Sequence, residues 1–171
     1  MSLEYLWAPW RMEFIRGNGC GNSGCFMCEA GKSRNDRANL VVIRGSSSFC
    51  MLNRYPYNNG HLLVAPFRHE GRIEALTGDE LSEMMGQIVE AKRRLDALVS
   101  PQGYNIGLNL GAVAGAGVVD HLHFHIVPRW TGDTNFMTSI GSTKVIPQAL
   151  DELWRHLTEN AAQQGAEEES C

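Results

Sequence analysis

Short apolar runs at Leu40 to Arg44, Phe49 to Leu52 and His61 to Ala65 predict strands in the first half of the chain. Between the last two lies Tyr55-Pro56-Tyr57-Asn58-Asn59-Gly60, built of turn-forming residues. The period then changes. Leu81, Met84, Met85, Ile88, Leu95 and Leu98 form one helical stripe, Thr77 and Glu80 match a capping box ahead of it, and Ser100-Pro101 stops it. Two further strand-like runs follow, Tyr104 to Leu110 and His121 to Val127, separated by the glycine-rich Gly111-Ala112-Val113-Ala114-Gly115-Ala116-Gly117. A last helix is expected to begin near Pro147 and to bury Leu150, Leu153, Trp154 and Leu157.

This order predicts an α+β fold with a mainly antiparallel sheet, one long helix and a C-terminal helix. No linker or repeat divides the 171 residues, so one domain is expected over positions 1–171. An aromatic segment (Leu6, Trp7, Trp10) and a Gly/Cys-rich stretch over 17–31 precede the first strand, and the polar, acidic tail from Gln163 to Cys171 is expected to fray.

Composition narrows the function classes. A formal net charge of −4 argues against a broad nucleic-acid surface, which needs an excess of Lys and Arg to displace counterions, but leaves room for a local nucleotide pocket. No apolar run approaches the roughly 20 residues of a membrane helix. Met1 to Trp10 has neither the basic start nor the apolar core of a signal peptide, so a cytoplasmic location is expected. Cys20, Cys25, Cys28, Cys50 and Cys171 form an odd set, which argues against a disulfide framework.

The chemistry concentrates at His121-Leu122-His123-Phe124-His125. On a strand, alternation turns the imidazoles to one face and Leu122, Phe124 and Ile126 to the other. Positions two apart are about 6.6 Å apart and positions four apart about 13 Å, so the rings cannot easily share one metal centre. Separate roles fit better, and a phosphate chain is long enough to meet two rings. Cys25-Phe26-Met27-Cys28 has spacing suited to tetrahedral zinc, with His69 and one histidine of the triple as candidates to complete it; two unrelated thiols are the alternative. The glycines between 111 and 117 let backbone N–H groups approach phosphate oxygens, unless the segment is only a flexible hairpin. Asn53, His61 and Asn109 stand at strand ends, where polar residues are usually solvated.

With these residues in view, the chain resembles the histidine triad superfamily, whose signature is His-x-His-x-His followed by apolar residues. His121 to Val127 carries it, Asn53 to Val64 resembles the family's upstream segment, and the likeness spans roughly residues 25 to 135. The flanks, Leu6-Trp7-Ala8-Pro9-Trp10-Arg11 and Pro128-Arg129-Trp130 with Gly132 to Met137, resemble bacterial proteins related to diadenosine tetraphosphate phosphorylases.

The resemblance implies a homodimer with a five-stranded sheet. It also implies a two-step nucleotidyl transfer in which His123 attacks an α-phosphorus and water or inorganic phosphate releases the nucleotide. His125 and the Gly115 to Gly117 backbone would stabilise phosphate charge, His61 would support that polar network, and Asn53 and Asn109 would line the nucleotide and phosphate site. Related zinc-bearing transferases imply Cys25, Cys28, His69 and His121 as ligands of a structural zinc. Where many relatives carry Gln with Ser or Thr before the triad, this chain has Gly117-Val118-Val119. Dinucleoside polyphosphates or related adenylyl compounds are the expected substrates, adenosine phosphoramidate the alternative. Rival readings are a hydrolase with a catalytic metal on two histidines of the triple, and a nucleotide-binding module without turnover.

Overall fold

The computed structural model describes residues 24–133 and 148–168. Five strands, β1 (Val41–Arg44), β2 (Ser48–Leu52), β3 (Leu62–Pro66), β4 (Gly103–Leu108) and β5 (Phe124–Arg129), form one sheet in the order β1-β2-β3-β5-β4. All four pairings are antiparallel, as the sequence predicts. Helices α1 (Phe26–Lys32) and α2 (Asp36–Asn39) precede the sheet, α3 (Gly78–Val99) joins β3 to β4, and α4 (Leu150–Glu168) follows it.

Both faces of the sheet are covered, which is why every residue of β2 and β3 is buried. Cys50, Leu52, Leu62, Val64 and Ile126 pack with Met84, Ile88, Ala91 and Leu95 of α3 and with Leu153 and Leu157 of α4. Phe49, Met51, Leu63 and Ala65 face the other way, onto Met27 and Ala30 of α1.

The long helix starts with the expected capping box: Thr77 Oγ1 accepts from Glu80 N–H at 3.2 Å, and Glu80 Oε2 accepts from Thr77 N–H at 2.8 Å. Met85 departs from the apolar stripe, being 48% exposed. It lies about 100° round the helix from the buried Met84, beyond the edge of the core. On the other side of Met84 from Met85, Glu83 ties α3 to the β1–β2 hairpin. Its carboxylate accepts the backbone N–H groups of Ser46, Ser47 and Ser48 and the hydroxyls of Ser46 and Ser48.

Other boundaries differ from the sequence reading for local reasons. The Gly/Cys-rich stretch contains α1, seven residues long and too short to declare a period. Its C-terminal carbonyls are met instead by Arg44, whose guanidinium donates to Ala30, Gly31 and Ser33 oxygens at 3.0, 2.9 and 2.6 Å. Leu40 adopts the left-handed region (φ 60°), so β1 begins one residue later. The helical backbone of α4 continues to Glu168, into the segment expected to fray. Pro147, the N-terminal aromatic segment and positions 134–137 lie outside the described residues.

Candidate active site

The histidine segment is extended but enters the sheet late. Val64 pairs with Phe124, Leu63 with His125 and Leu62 with Ile126, and β3 ends at Pro66. His121 to His123 therefore precede the hydrogen-bonded ladder rather than lying within it, and Leu122 N–H finds Glu70 O at 2.7 Å instead. The alternation of faces survives. Leu122 and Ile126 are buried in the α3 core with Phe124 against them, whereas His121 is fully buried and His123 is 8% exposed on the opposite side.

Each ring has its proton assigned by a neighbour. His121 Nε2 donates to Pro66 O at 2.9 Å, which leaves Nδ1 as the lone-pair nitrogen. His123 Nδ1 donates to the carbonyl oxygen of His121 at 2.9 Å, which leaves Nε2 with the lone pair. Burial pushes His123 below the ordinary imidazole range, and the bond to His121 O only partly opposes this, so the neutral ring is favoured.

His125 belongs to a second chain of bonds. Tyr57 N–H donates to His61 Nδ1 at 3.0 Å and the Asn53 amide nitrogen approaches the same atom at 3.2 Å. A backbone N–H can only donate, so neutral His61 carries its proton on Nε2, aimed at His125 Nδ1 at 2.9 Å. In neutral His125 the remaining N–H is then Nε2–H. The His123 and His125 ring centres are 4.8 Å apart at 68°, one offering a lone pair and the other a donor. Across β4, His125 pairs with Gly107, where an added Cβ would meet nothing within 4 Å, so the space beside the ring is open.

At the end of the sheet, Cys25, Cys28, His69 and His121 bring their ligand atoms within 4.8 Å of one another. Cys25 Sγ lies 3.2 Å and Cys28 Sγ 3.5 Å from His121 Nδ1, and Cys28 Sγ lies 3.3 Å from His69 Nδ1. Burial and the adjacent Cys25 push the Cys28 thiol up, so an ion that takes the thiolate competes with a proton there. Four convergent donors of this kind can hold a metal ion.

A family model described as the HIT domain matches residues 34–132. The chain belongs to the HIT family. This HIT protein is 41% identical over 168 residues to the AP-4-A phosphorylase of Mycobacterium tuberculosis, covering 95% of this chain and 86% of that one. Among solved structures it resembles a zinc-bound histidine triad family protein of Mycobacterium smegmatis, with a TM-score of 0.65 and 22% identity over 85% of this chain and 99% of that one. A hypothetical histidine triad nucleotide-binding protein of Sulfolobus tokodaii gives a TM-score of 0.60 and 25% identity, over 80% and 93% of the two chains.

The residues singled out in the sequence of this HIT protein fall into two adjoining groups. Cys25, Cys28, His69 and His121 form a cluster that could hold a metal ion, while His123, His125 and His61 form the ring cluster with Asn53 behind them. Asn109 Nδ2 donates to Gly115 O at 3.4 Å, across the mouth of the glycine loop. Within that loop the amides of Gly115 and Ala116 donate to Ala112 O and Gly111 O, so they point inward rather than toward a ligand. Tyr57 is the participant that the sequence reading passed over as a turn residue. Its ring centre lies 4.7 Å from His61 and 5.7 Å from His125. An aromatic residue inside a turn just ahead of a site histidine was the available signal. Among the described residues, no helix is long and apolar enough to cross a membrane.

Proposed function

We propose that this protein is a nucleotidyl-transferring enzyme that cleaves dinucleoside polyphosphates or related adenylyl compounds through a covalent intermediate on His123. The observation that carries the reading is the bond from His123 Nδ1 to His121 O, which presents Nε2 as a neutral nucleophile 4.8 Å, ring centre to ring centre, from His125. His125 donates to the phosphate oxygens, His61 holds it in the donating tautomer, and Asn53 braces His61 at the nucleotide side. Asn109 shapes the phosphate loop. Because the Gly115 amide is turned inward, Gly117 is the better candidate for a backbone contact to phosphate, with Gly115 shaping the loop around it. The phosphorylase name of the Mycobacterium tuberculosis relative supports this substrate class, with phosphate or water as second acceptor.

The metal in this reading is structural zinc. Zinc bound at about 2.3 Å from sulfur and 2.0–2.1 Å from nitrogen sets ligands roughly 3.5 Å apart on a tetrahedron. The observed 3.2, 3.3 and 3.5 Å separations suit it. Such an ion braces His121 and supplies no open coordination position, which disfavours a catalytic metal. Cysteines kept for a metal also suit the reducing cytoplasm.

A single domain and a homodimer complete the proposal. β4 is an edge strand with exposed Ile106, and Tyr104 of that strand hydrogen-bonds to Asp96 at 2.8 Å on α3, the helix that exposes Met85 and Val89. An edge that is unpaired among the described residues, beside exposed apolar side chains, suits a second copy.

His123→Ala tests the mechanism. Loss of turnover and of radiolabelled adenylyl-protein, with unchanged circular dichroism and nucleotide affinity, is expected. Turnover at the wild-type rate would sink the assignment.

A further inference from the structure

Resting on the nucleotidyl-transfer reading above, we propose that the Glu70–Gly71 segment is a positioning element for the nucleophile. It clamps the His121–Leu122 peptide plane, whose carbonyl orients His123, and glycine at position 71 is what lets the two backbones meet closely enough.

The need for a clamp follows from the sheet. Pairing of β5 with β3 stops at Phe124 and Val64, so the ladder does not fix the peptide that carries His121 O. That peptide is held from its other side. Its N–H, on Leu122, donates to Glu70 O at 2.7 Å, while its carbonyl accepts Nδ1–H of His123 at 2.9 Å. A trans peptide is planar, with N–H and C=O pointing in opposite directions, so a shift or rotation imposed through Glu70 reaches the imidazole directly. Engaging the N–H also polarises the same peptide's carbonyl, which strengthens it as the acceptor for His123.

Gly71 sets how near the clamp can come. An added Cβ would lie 2.6 Å from Val119 O and 3.0 Å from Asp120 Cα, both backbone atoms of the segment that leads into His121. Gly71 is not in the left-handed region, so the requirement is space rather than conformation. Little else presses on this segment. Val119 is 43% exposed, and an open cavity of about 510 Å³, lined by Arg72, Glu74, Leu110 and Asp120, borders it.

The clamp is itself anchored. Arg68 donates to Glu80 of the α3 capping box at 2.6 Å and to Ala75 O at 2.5 Å, and Glu70 Oε1 accepts from Arg72 N–H at 3.0 Å. The residues that follow β3 thus form a strap between the N-terminus of α3 and the peptide behind the nucleophile. Where the strap leaves β3, Pro66 O receives His121 Nε2–H at 2.9 Å, so ring and main chain of His121 are set by one segment.

The test is Gly71→Ala in the full chain, assayed with diadenosine tetraphosphate. A nucleophile displaced by about 1 Å loses up to about 10²-fold in rate. The single-turnover adenylylation rate and kcat are therefore expected to fall about 10–100-fold, with KM, AMP affinity and bound metal per chain unchanged. In protein labelled with nitrogen-15 histidine, the Nδ1–H of His123, assigned by its loss in His123→Ala, is expected to exchange with solvent faster than in wild type. Leu157→Ala, which opens a cavity in the core between α3 and α4, is expected to lower the melting temperature at least as much while keeping kcat and that exchange rate. Arg68→Ala frees the strap from α3 at an exposed site. It is expected to show the same kcat-specific loss on a smaller scale, and it decides the matter if Gly71→Ala does not fold.

Wild-type kcat or an unchanged exchange rate in the folded strap variant would overturn the clamp while leaving nucleotidyl transfer intact. A rise in KM alone, a loss of kcat matched by loss of bound metal, or an equal loss of kcat in Leu157→Ala would do the same. Absence of adenylylated wild-type protein would overturn the functional reading, with the His123 exchange rate still deciding the clamp.

Discussion

His123 donates its Nδ1 proton to the backbone carbonyl of His121, whose own ring belongs to the Cys25, Cys28 and His69 cluster. One residue thus joins the Cys/His cluster with its side chain and orients the neighbouring imidazole with its main chain. Disturbing the cluster should reach the chemistry by two bonds rather than through bulk unfolding alone.

Cys28→Ser tests that link. Bound zinc should fall below one ion per chain by atomic absorption, the melting temperature should drop, and kcat should decline about 10–100-fold, the usual cost of losing support around a site. KM should change little, because no residue expected to touch substrate has been altered. Full kcat in metal-free protein would show that the cluster does not position His123.

Acid stability should depend on Glu83. Burial pushes its carboxyl up, but the hydroxyls of Ser46 and Ser48 and the backbone N–H groups of Ser47 and Ser46 outweigh this and hold it at about 2, against an ordinary 4.5. A depressed carboxyl contributes stability that is complete above the unfolded value and is lost as pH falls from 4.5 through about 2. Glu83→Gln should cost about 2 kcal/mol at neutral pH. It should also flatten the acid limb of a denaturation profile taken between pH 5 and pH 2, chosen to bracket the loss. A limb as steep as wild type would assign the loss to other carboxyls.

Gly60→Ala should damage the fold and the site together. Gly60 has φ +73°, and an added Cβ would lie 2.8 Å from Leu95 Cδ2 and 3.2 Å from Pro128 Cγ. The left-handed conformation alone costs a non-glycine residue about 1–2 kcal/mol, and the contacts add to it. Because His61 is the next residue, kcat should fall as well. Chemical denaturation and turnover measured on one preparation would check both; wild-type values in each would refute the strained turn.

Much of this was legible in the chain because it rests on local rules. Periodicity and capping chemistry located α3, turn residues marked the segment before His61, and residue alternation separated the core side of the triple from its imidazole side. The C-x-x-C spacing pointed to a metal, with His69 and one histidine of the triple as candidates, and the resemblance implied the four donors that converge. Short α1 escaped notice because it is held from outside, by Arg44 of β1. The late start of β5 escaped as well: pairing with β3 stops at Val64 and Phe124, and no pattern within His121 to Val127 reports where it stops.

The sequence by itself determined the family signature, the antiparallel α+β order and the kinds of side chain available for chemistry. Tertiary structure decided which nitrogen of each histidine holds its proton. Imidazole tautomers differ little in free energy until a fixed partner selects one, and those partners are Pro66 O for His121, His121 O for His123, and Tyr57 N–H through His61 for His125. Apart from the carbonyl of His121, they come from segments distant in sequence or from a turn whose shape the fold imposes. The His-x-His-x-His pattern states what can react, and only folding fixes which nitrogen of each of its three rings keeps the proton.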